Sequence, residues 1–98
     1  MILEAALLSV KPGRADAFEA AMRKARPLIA ASPGFGGIEV RRCVERPDGY
    51  LLLVWWETLE DHTEGFRGSE RYQEWRGLLH DFYDPFPIVE HFEPSFLG

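Results

Sequence analysis

The three histidines are the side chains best suited to acid–base chemistry at neutral pH, because an imidazole titrates near pKa 6.5. His62 lies four residues after Thr58, a candidate helix cap, and His91 lies within a short apolar segment near the end of the chain. A positioned imidazole can remove a proton from a substrate. We therefore predict His62 and His91 as catalytic candidates. Two alternatives stay open: His62 is a half-buried helix residue bonded to a carboxylate, and His91 is a surface or dimer-contact residue.

The sequence does not predict a metal site or a bound cofactor. His80 lies near the end of a predicted helix, where we expect it to be solvated and favoured by the helix dipole. None of the histidines has another at the helical spacing of three or four residues that metal-binding pairs use. Cys43 is the only cysteine, which excludes an intrachain disulfide and a thiolate cluster. We expect Cys43 to be an inert packing residue.

Aromatic side chains are concentrated in the second half of the chain, and some of them could line a ligand pocket. Aromatic residues at helical and strand spacing usually belong to a hydrophobic core. The long proline-rich link over residues 79–87 could instead close an aromatic pocket as a lid, or cover a neighbouring sheet. Such a pocket would take a small apolar or aromatic ligand. The predicted pocket residues are Trp56, Phe66, Tyr72, Trp75 and Tyr83.

The elements that position these residues follow from the hydrophobic periodicity. Apolar residues recur at helical spacing after Arg14, and Pro27 within this pattern predicts a kink or a loosened last turn. Thr58 and Ser69 are candidate caps of a short helix and a longer one. Strands are predicted over residues 2–10, 35–45, 50–56 and 88–92. The order is β-α-β-β-α-β, which predicts one α+β domain over residues 1–98 with the ferredoxin-like fold and an antiparallel sheet.

The strand over residues 50–56 is apolar on both faces. Tyr50, Leu52, Val54 and Trp56 point to one side, and the intervening leucines and Trp55 point to the other. The helices of so short a chain cover one face of the sheet. We therefore predict a homodimer in which the open sheet face packs against a second copy.

Composition and charge exclude several other partners. The net charge is -5 and the basic residues are scattered, so that the chain lacks the basic face that nucleic-acid binding requires. Apolar runs are too short to cross a bilayer, and Glu4 interrupts the N-terminal one, which argues against a signal peptide. With a single cysteine, these features predict a cytoplasmic protein.

Three segments, in this order and spacing, are shared with a known family. They are Val10-Lys11-Pro12-Gly13 followed by Asp16 and Phe18, then Ala31-Ser32-Pro33-Gly34-Phe35, and then Trp56-Glu57 followed by Ser69 and Tyr72. Together they resemble the antibiotic biosynthesis monooxygenase (ABM) family, over nearly the whole chain. The resemblance implies a dimeric α+β barrel. It also implies an activity such as cofactor-free oxygenation of aromatic substrates, haem degradation or the handling of quinone-like metabolites.

The resemblance is incomplete at the residues that these activities use. Haem-degrading members of the family use an asparagine on the first strand, a tryptophan and a histidine ligand on the short helix. This chain has no asparagine, and Phe66 stands where the histidine is expected, so haem degradation is disfavoured. Cofactor-free oxygenases of the family also use an asparagine and a tryptophan, and Trp56 is the one of the two that is present.

Two functions are therefore predicted. The first is a cofactor-free oxygenase of a small aromatic or quinone-like metabolite, with His62 and His91 as its acid–base residues. The alternative is a non-catalytic, small-ligand-binding or stress-associated dimer of the same fold. Dimeric barrels of the muconolactone-isomerase-like or EthD-like type remain a nearby alternative for either function.

Overall fold

Four antiparallel strands form one sheet in the order β2-β3-β1-β4 in the computed structural model, which describes all 98 residues. Two α-helices lie on one face of this sheet, so the predicted ferredoxin-like β-α-β-β-α-β fold is confirmed. No helix has the length and hydropathy that a membrane span requires. The elements are β1 (Ile2–Ser9), α1 (Ala15–Ala30), β2 (Phe35–Arg42), β3 (Gly49–Trp56), a π-helical segment (Asp61–Phe66), α2 (Glu70–Leu79), a 3₁₀ turn (His80–Phe82) and β4 (Glu90–Phe92).

The predicted strands are longer than the observed ones at three of their ends. β1 stops before Val10, which makes one isolated bridge to Tyr83. β2 ends at Arg42 rather than at residue 45, because the chain is already turning back towards β3 there. β4 starts at Glu90 rather than at residue 88. The prolines at 85 and 87 supply no backbone N–H, which explains why regular pairing with β1 begins only beyond them.

Helix α1 buries the face that its periodicity predicts. The side chains of Phe18, Met22, Ala25 and Ile29 are its buried residues. Pro27 lies inside the helix, which continues to Ala30, so the proline does not end it. These residues form one core with the inward-facing side chains of the sheet.

Strand β3 is central and pairs with both β1 and β2. Its residues Tyr50, Leu52, Val54 and Trp56 are buried beneath the helices, as the alternation predicts. Leu51, Leu53 and Trp55 lie on the opposite face, which no helix covers, and are only half-buried. The register of β2 on β3 shifts between Phe35 and Gly37, which is a β-bulge at the glycine pair 36–37.

The segment that follows β3 carries His62 and Phe66 into the space beneath the helices. Thr58 and Asp61 cap it reciprocally: the Asp61 carboxylate accepts from the Thr58 N–H at 3.1 Å, and the Thr58 hydroxyl accepts from the Asp61 N–H at 3.2 Å. The helix is wound in π-helical form, and the Arg67 N–H bonds the His62 carbonyl five residues earlier. Ser69 then caps α2 by accepting from the Tyr72 N–H, as predicted.

We predict that Gly34→Ala destabilises the fold more than Gly13→Ala does. Both glycines have positive φ, 82° and 78°, which costs an alanine about 1–2 kcal/mol at either position. A methyl group at Gly34 would also collide with the Asp61 side chain of the cap, whereas nothing lies near Gly13. Urea denaturation should therefore give a clearly larger loss for Gly34→Ala. Equal losses would show that the Gly34–Asp61 contact does not hold the His62 segment in place.

Candidate functional site

Four buried or half-buried polar side chains form a continuous polar chain between the sheet and the π-helical segment, in which the Trp56–Glu4 and His62–His91 contacts are hydrogen bonds. The Trp56 Nε1–H donates to Glu4 Oε1 at 2.9 Å, and His62 Nε2 lies 3.3 Å from the same oxygen. His62 Nδ1 lies 2.7 Å from His91 Nε2. Glu4 is 5% exposed and His62 is 3% exposed. The chain thus leads from a buried carboxyl group to a half-buried histidine on the edge strand.

The strand register places Glu4 next to two other residues of the polar chain. Glu4 faces the helices on β1, directly opposite His91 of β4, and Trp56 lies diagonally across on β3. His62 descends from the π-helical segment and stacks on the Trp56 ring, with centroids 5.3 Å apart and an interplanar angle of 15°. Each partner of Glu4 therefore comes from a different element, and the site exists only when all of them are in place.

The hydrogen atoms of this chain follow from what each group can donate. The Trp56 indole is a donor only, so Glu4 Oε1 accepts from it. When Glu4 is a carboxylate it cannot donate, and His62 Nε2 then carries the hydrogen towards it. A neutral His62 has a lone pair on Nδ1, which accepts from the His91 Nε2–H. The N–H groups of both histidines then point inwards, from His91 towards Glu4.

Burial favours the neutral form of each titratable side chain in this polar chain. Desolvation raises the pKa of Glu4, and the Trp56 hydrogen bond and the Arg67 charge offset only part of that rise. Desolvation lowers the pKa of His62 to about 3, and the charges of Arg67 and His91 contribute in the same direction. The pKa of His91 is also lowered, mainly by burial and then by Arg67. His62 is therefore neutral at pH 7, and its 3.3 Å contact with Glu4 is not an ion pair.

A cavity of about 90 Å³ lies beside this chain, between the sheet and the helices. It exceeds the roughly 30 Å³ that one water occupies in the liquid. Its polar lining comes from Glu4, His62, Arg67, Tyr72, His80 and Tyr83. Its apolar lining comes from Ala6, Leu8, Ile29, Leu52, Phe66, Trp75, Phe86, Pro87 and Val89. This combination, apolar walls with a few convergent polar groups, is typical of small-molecule sites.

The structure brings most of the predicted site residues to this cavity. His62 and four of the five predicted pocket residues line it, namely Phe66, Tyr72, Trp75 and Tyr83. Trp56 lies one layer deeper, where its ring contacts His62 and Phe66. His91 is outside the lining and forms the outer end of the polar chain. Cys43 lies apart from the cavity, with its thiol 3.6 Å from the Glu45 carboxylate.

The prediction that His80 is solvated was wrong. After α2 the chain turns back over the cavity, which places the His80 ring against Tyr72 and against Phe86, whose centroid is 4.8 Å away. Burial consequently lowers the pKa of His80. Tyr83 in the same segment has its pKa raised by burial and then by the nearby charge of Glu4. The Tyr83 hydroxyl makes no hydrogen bond within the chain, so it is free to meet a ligand.

Two residues of the site were not among the predicted ones. Glu4 is the single acid on the inward face of β1, where Ala6 and Leu8 are also buried. This lone charge on an apolar strand face is the signal that could have identified it, because buried carboxylates are retained only with partners. Arg67 is exposed and lines the cavity, and its guanidinium forms no salt bridge. Nothing in its sequence surroundings distinguishes Arg67 from the other arginines.

We predict that His62→Gln removes a pH dependence of stability between about pH 6.5 and pH 3. In this range the unfolded chain protonates His62 while the folded chain does not. The unfolded state then binds more protons, so the wild-type protein loses stability as the pH falls. Relative to the variant, the loss should be on the order of a few kcal/mol by urea denaturation.

Glu4→Gln is the matched control for this titration, because its expected effect has the opposite sign. A raised pKa means that the folded state holds its proton longer, so wild-type Glu4 costs stability as the pH rises through the folded pKa. The stability of Glu4→Gln relative to that of the wild type should therefore increase towards neutral pH. Parallel curves for wild type and His62→Gln would contradict the neutral, buried state of His62.

Comparison with known proteins places this chain and its fold in a family. The family model "Antibiotic biosynthesis monooxygenase" (ABM) matches residues 1–78. The uncharacterized protein YczJ of Bacillus subtilis (strain 168) is 56% identical over 93 residues, which is 95% of this chain and 98% of YczJ.

Solved structures give the same result. A Bordetella bronchiseptica protein described as an antibiotic biosynthesis monooxygenase superimposes with a TM-score of 0.91 at 39% identity, over 97% of each chain. SnoaB, a cofactor-independent oxygenase from Streptomyces nogalater, has the same fold, with a TM-score of 0.84 at 14% identity over 96% of this chain and 92% of SnoaB. The chain is therefore a member of the antibiotic biosynthesis monooxygenase family, as the sequence motifs indicate.

Proposed function

We propose that this protein is a cofactor-independent oxygenase that acts on a small aromatic or quinone-like metabolite. The observation that carries the proposal is the polar chain Glu4–His62–His91, which lies beside a cavity with aromatic walls. The description of SnoaB as a cofactor-independent oxygenase of the same fold supports it. In this proposal, His62 and His91 are the acid–base residues that the sequence predicts.

The chemistry of such a reaction begins with proton removal from the substrate. An aromatic compound with a hydroxyl group becomes electron-rich when it loses its proton, and the anion can reduce molecular oxygen. Incorporation of one oxygen atom into the ring and release of the other as water converts a phenol to a quinone. The substrate supplies all the electrons, so the protein needs only to bind the substrate, exclude water and move protons.

The cavity walls indicate how an aromatic ligand is held and how it enters. Phe66 meets the rings of both Tyr72 and Trp75 edge-on, with centroid distances of 5.5 and 5.7 Å. At about 90 Å³ the cavity is smaller than the 150 Å³ that accommodates benzene in an engineered protein core. Entry of a ring therefore requires one wall to move. Phe86, which is 60% exposed, belongs to the wall with solvent on its outer side.

We further propose that the protein is a homodimer that buries the uncovered face of the sheet. This face carries Leu51, Leu53 and Trp55 of β3, and Leu7 of β1 remains 64% exposed on it. Beside it, a groove of about 490 Å³ runs between β1, β4 and the segment from Pro85 to Ile88. A contiguous apolar surface of this kind marks an interaction site, and a second copy presents the complementary twofold-related surface.

We expect oxygen uptake when the protein is incubated with hydroquinones, naphthols or anthrones. The double variant His62→Ala/His91→Ala should lose about 10²-fold or more in kcat/KM, which is the usual size of a general acid–base contribution. An oxygen electrode measures the rate. Cys43→Ser is the control, because it removes the one thiol that could consume oxygen, and it should retain full activity. Ligand binding without oxygen uptake would favour the alternative, a non-catalytic binding protein.

We expect sedimentation velocity at micromolar concentration to give a dimer for the wild-type protein. Leu7→Glu should shift it to a monomer, because the substitution places a charge at the centre of the proposed interface. Leu59→Glu is the matched control: Leu59 is 40% exposed but lies between β3 and the π-helical segment, away from the open sheet face. A monomeric wild type, or a dimer unaffected by Leu7→Glu, would contradict this interface.

A further inference from the structure

One of the two carboxyl oxygens of Glu4 has no hydrogen-bond partner within the protein. The Trp56 indole donates to Oε1, and His62 Nε2 lies 3.3 Å from the same oxygen. Oε2 makes no hydrogen bond, but it is not fully enclosed by protein atoms and therefore retains accessible surface. Glu4 is also one of the residues that line the cavity. A buried carboxyl oxygen in this position is an acceptor that awaits a donor.

His62, by contrast, has both ring nitrogens beside other side chains. Its Nε2 lies 3.3 Å from Glu4 Oε1, its Nδ1 is hydrogen-bonded to His91, and one face of the ring stacks on Trp56. His91 is outside the cavity lining. Glu4 is therefore the better placed of these three groups to meet a hydroxyl group in the cavity.

We propose that Glu4 is the catalytic residue that accepts the hydroxyl proton of a phenolic substrate, and that His62 and His91 conduct this proton to solvent. The proposal rests on the proposed function and deepens it in two respects. It restricts the substrate class to aromatic compounds with an acidic hydroxyl group, and it makes His62 and His91 positioning and relay residues that act through Glu4.

The proton transfer balances without any further reactant. The substrate O–H bond breaks as its proton passes to the Glu4 carboxylate, which leaves a phenolate and a carboxylic acid. While Glu4 is a carboxylate both rings carry their hydrogen on Nε2, so each ring must first change to the tautomer with hydrogen on Nδ1, which leaves His62 Nε2 as an acceptor. The acid then passes its proton to His62 Nε2, His62 passes its Nδ1 proton to His91 Nε2, and His91 releases its Nδ1 proton to water. These transfers restore the carboxylate and both starting tautomers. The 2.7 Å distance between His62 Nδ1 and His91 Nε2 is short enough for direct proton transfer between the two rings.

The charges around the cavity suit the anion that this step creates. Arg67 lines the cavity and has no carboxylate partner of its own, so its positive charge is available to a phenolate. Tyr83 also lines the cavity, and its hydroxyl, which makes no hydrogen bond within the protein, can donate to the same oxygen. A substrate hydroxyl between Glu4 on one side and Arg67 with Tyr83 on the other would lose its proton readily.

Ionisation of a bound phenol under argon tests this proposal separately from oxygenation. The probe is 4-nitrophenol at pH 6, where the free compound is mainly un-ionised and its anion is yellow. The wild-type protein should bind it as the anion. Glu4→Gln keeps an acceptor for Trp56 and should bind the probe with an affinity within about threefold by equilibrium dialysis, with at least a tenfold smaller ionised fraction.

Glu93→Gln, an exposed acid just beyond β4, is the matched control and should behave as the wild type does. Equal ionisation in Glu4→Gln and wild type would overturn the assignment of Glu4. A wild-type protein that does not bind the probe, or binds it un-ionised, would overturn the phenolic substrate class. Because oxygen is absent, a failure of the proposed oxygenase activity leaves these results unchanged, and the two failures are distinguishable.

The relay has a separate readout in the release of the proton to solvent. In weakly buffered solution with an indicator dye, stopped-flow mixing of wild type and probe should show proton release that accompanies ionisation. His91→Ala should slow this release at least tenfold, and free imidazole should restore it by occupying the space of the missing ring. An unchanged rate in His91→Ala, or a slow rate that imidazole does not restore, would show that the proton leaves by another route.

Discussion

The Glu4 carboxyl group is buried beneath an apolar layer, where it needs polar partners. This requirement explains the positions of almost all the other site residues. An unpartnered charge in such a place would cost several kcal/mol. Trp56 and His62 both meet Glu4 Oε1, and His91 in turn holds the second nitrogen of His62. Burial that raises the pKa of Glu4 also lowers that of His62, so their 3.3 Å contact does not depend on opposite charges.

This constraint links elements that are distant in the sequence. β1 supplies Glu4, β3 supplies Trp56, the π-helical segment supplies His62 and β4 supplies His91. The three-residue strand β4 is short, and its His91 contact ties it to the centre of the molecule. The segment between α2 and β4 then closes the cavity. Phe86 and Pro87 of this segment line the inner cavity on one side and the outer groove on the other, so a partner on the open sheet face would touch the cavity wall.

Hydrophobic periodicity was sufficient to predict the fold, because the buried faces of α1 and β3 are regular and local in sequence. The ends of β2 and β4 were predicted too long, since pairing there is decided by the turn and by prolines rather than by side-chain pattern. His62 and His91 could be selected by residue type alone, but their contact could not be foreseen. It joins residues 29 positions apart through a π-helical turn whose geometry the sequence does not specify.

Glu4 escaped prediction for a different reason. When a strand is predicted from the alternation of apolar residues, a single acid is treated as an exception to the pattern. Only the register with β3 and β4 shows that the neighbours of Glu4 are a tryptophan and a histidine. The Glu4 example suggests a general way to search small apolar sheets for sites. A single ionisable residue on an inward face needs a partner from another element, and the search should begin with the aromatic and histidine residues that the strand order can bring opposite to it.

The central claim is that His62 is held neutral between Glu4 and His91, and ¹⁵N NMR of the imidazole rings across a pH titration tests it most directly. The account predicts that His62 stays neutral from pH 8 down to below pH 5, with hydrogen on Nε2 while Glu4 is ionised. A His62 ring that titrates near pH 6.5, as a solvated histidine does, would contradict the account.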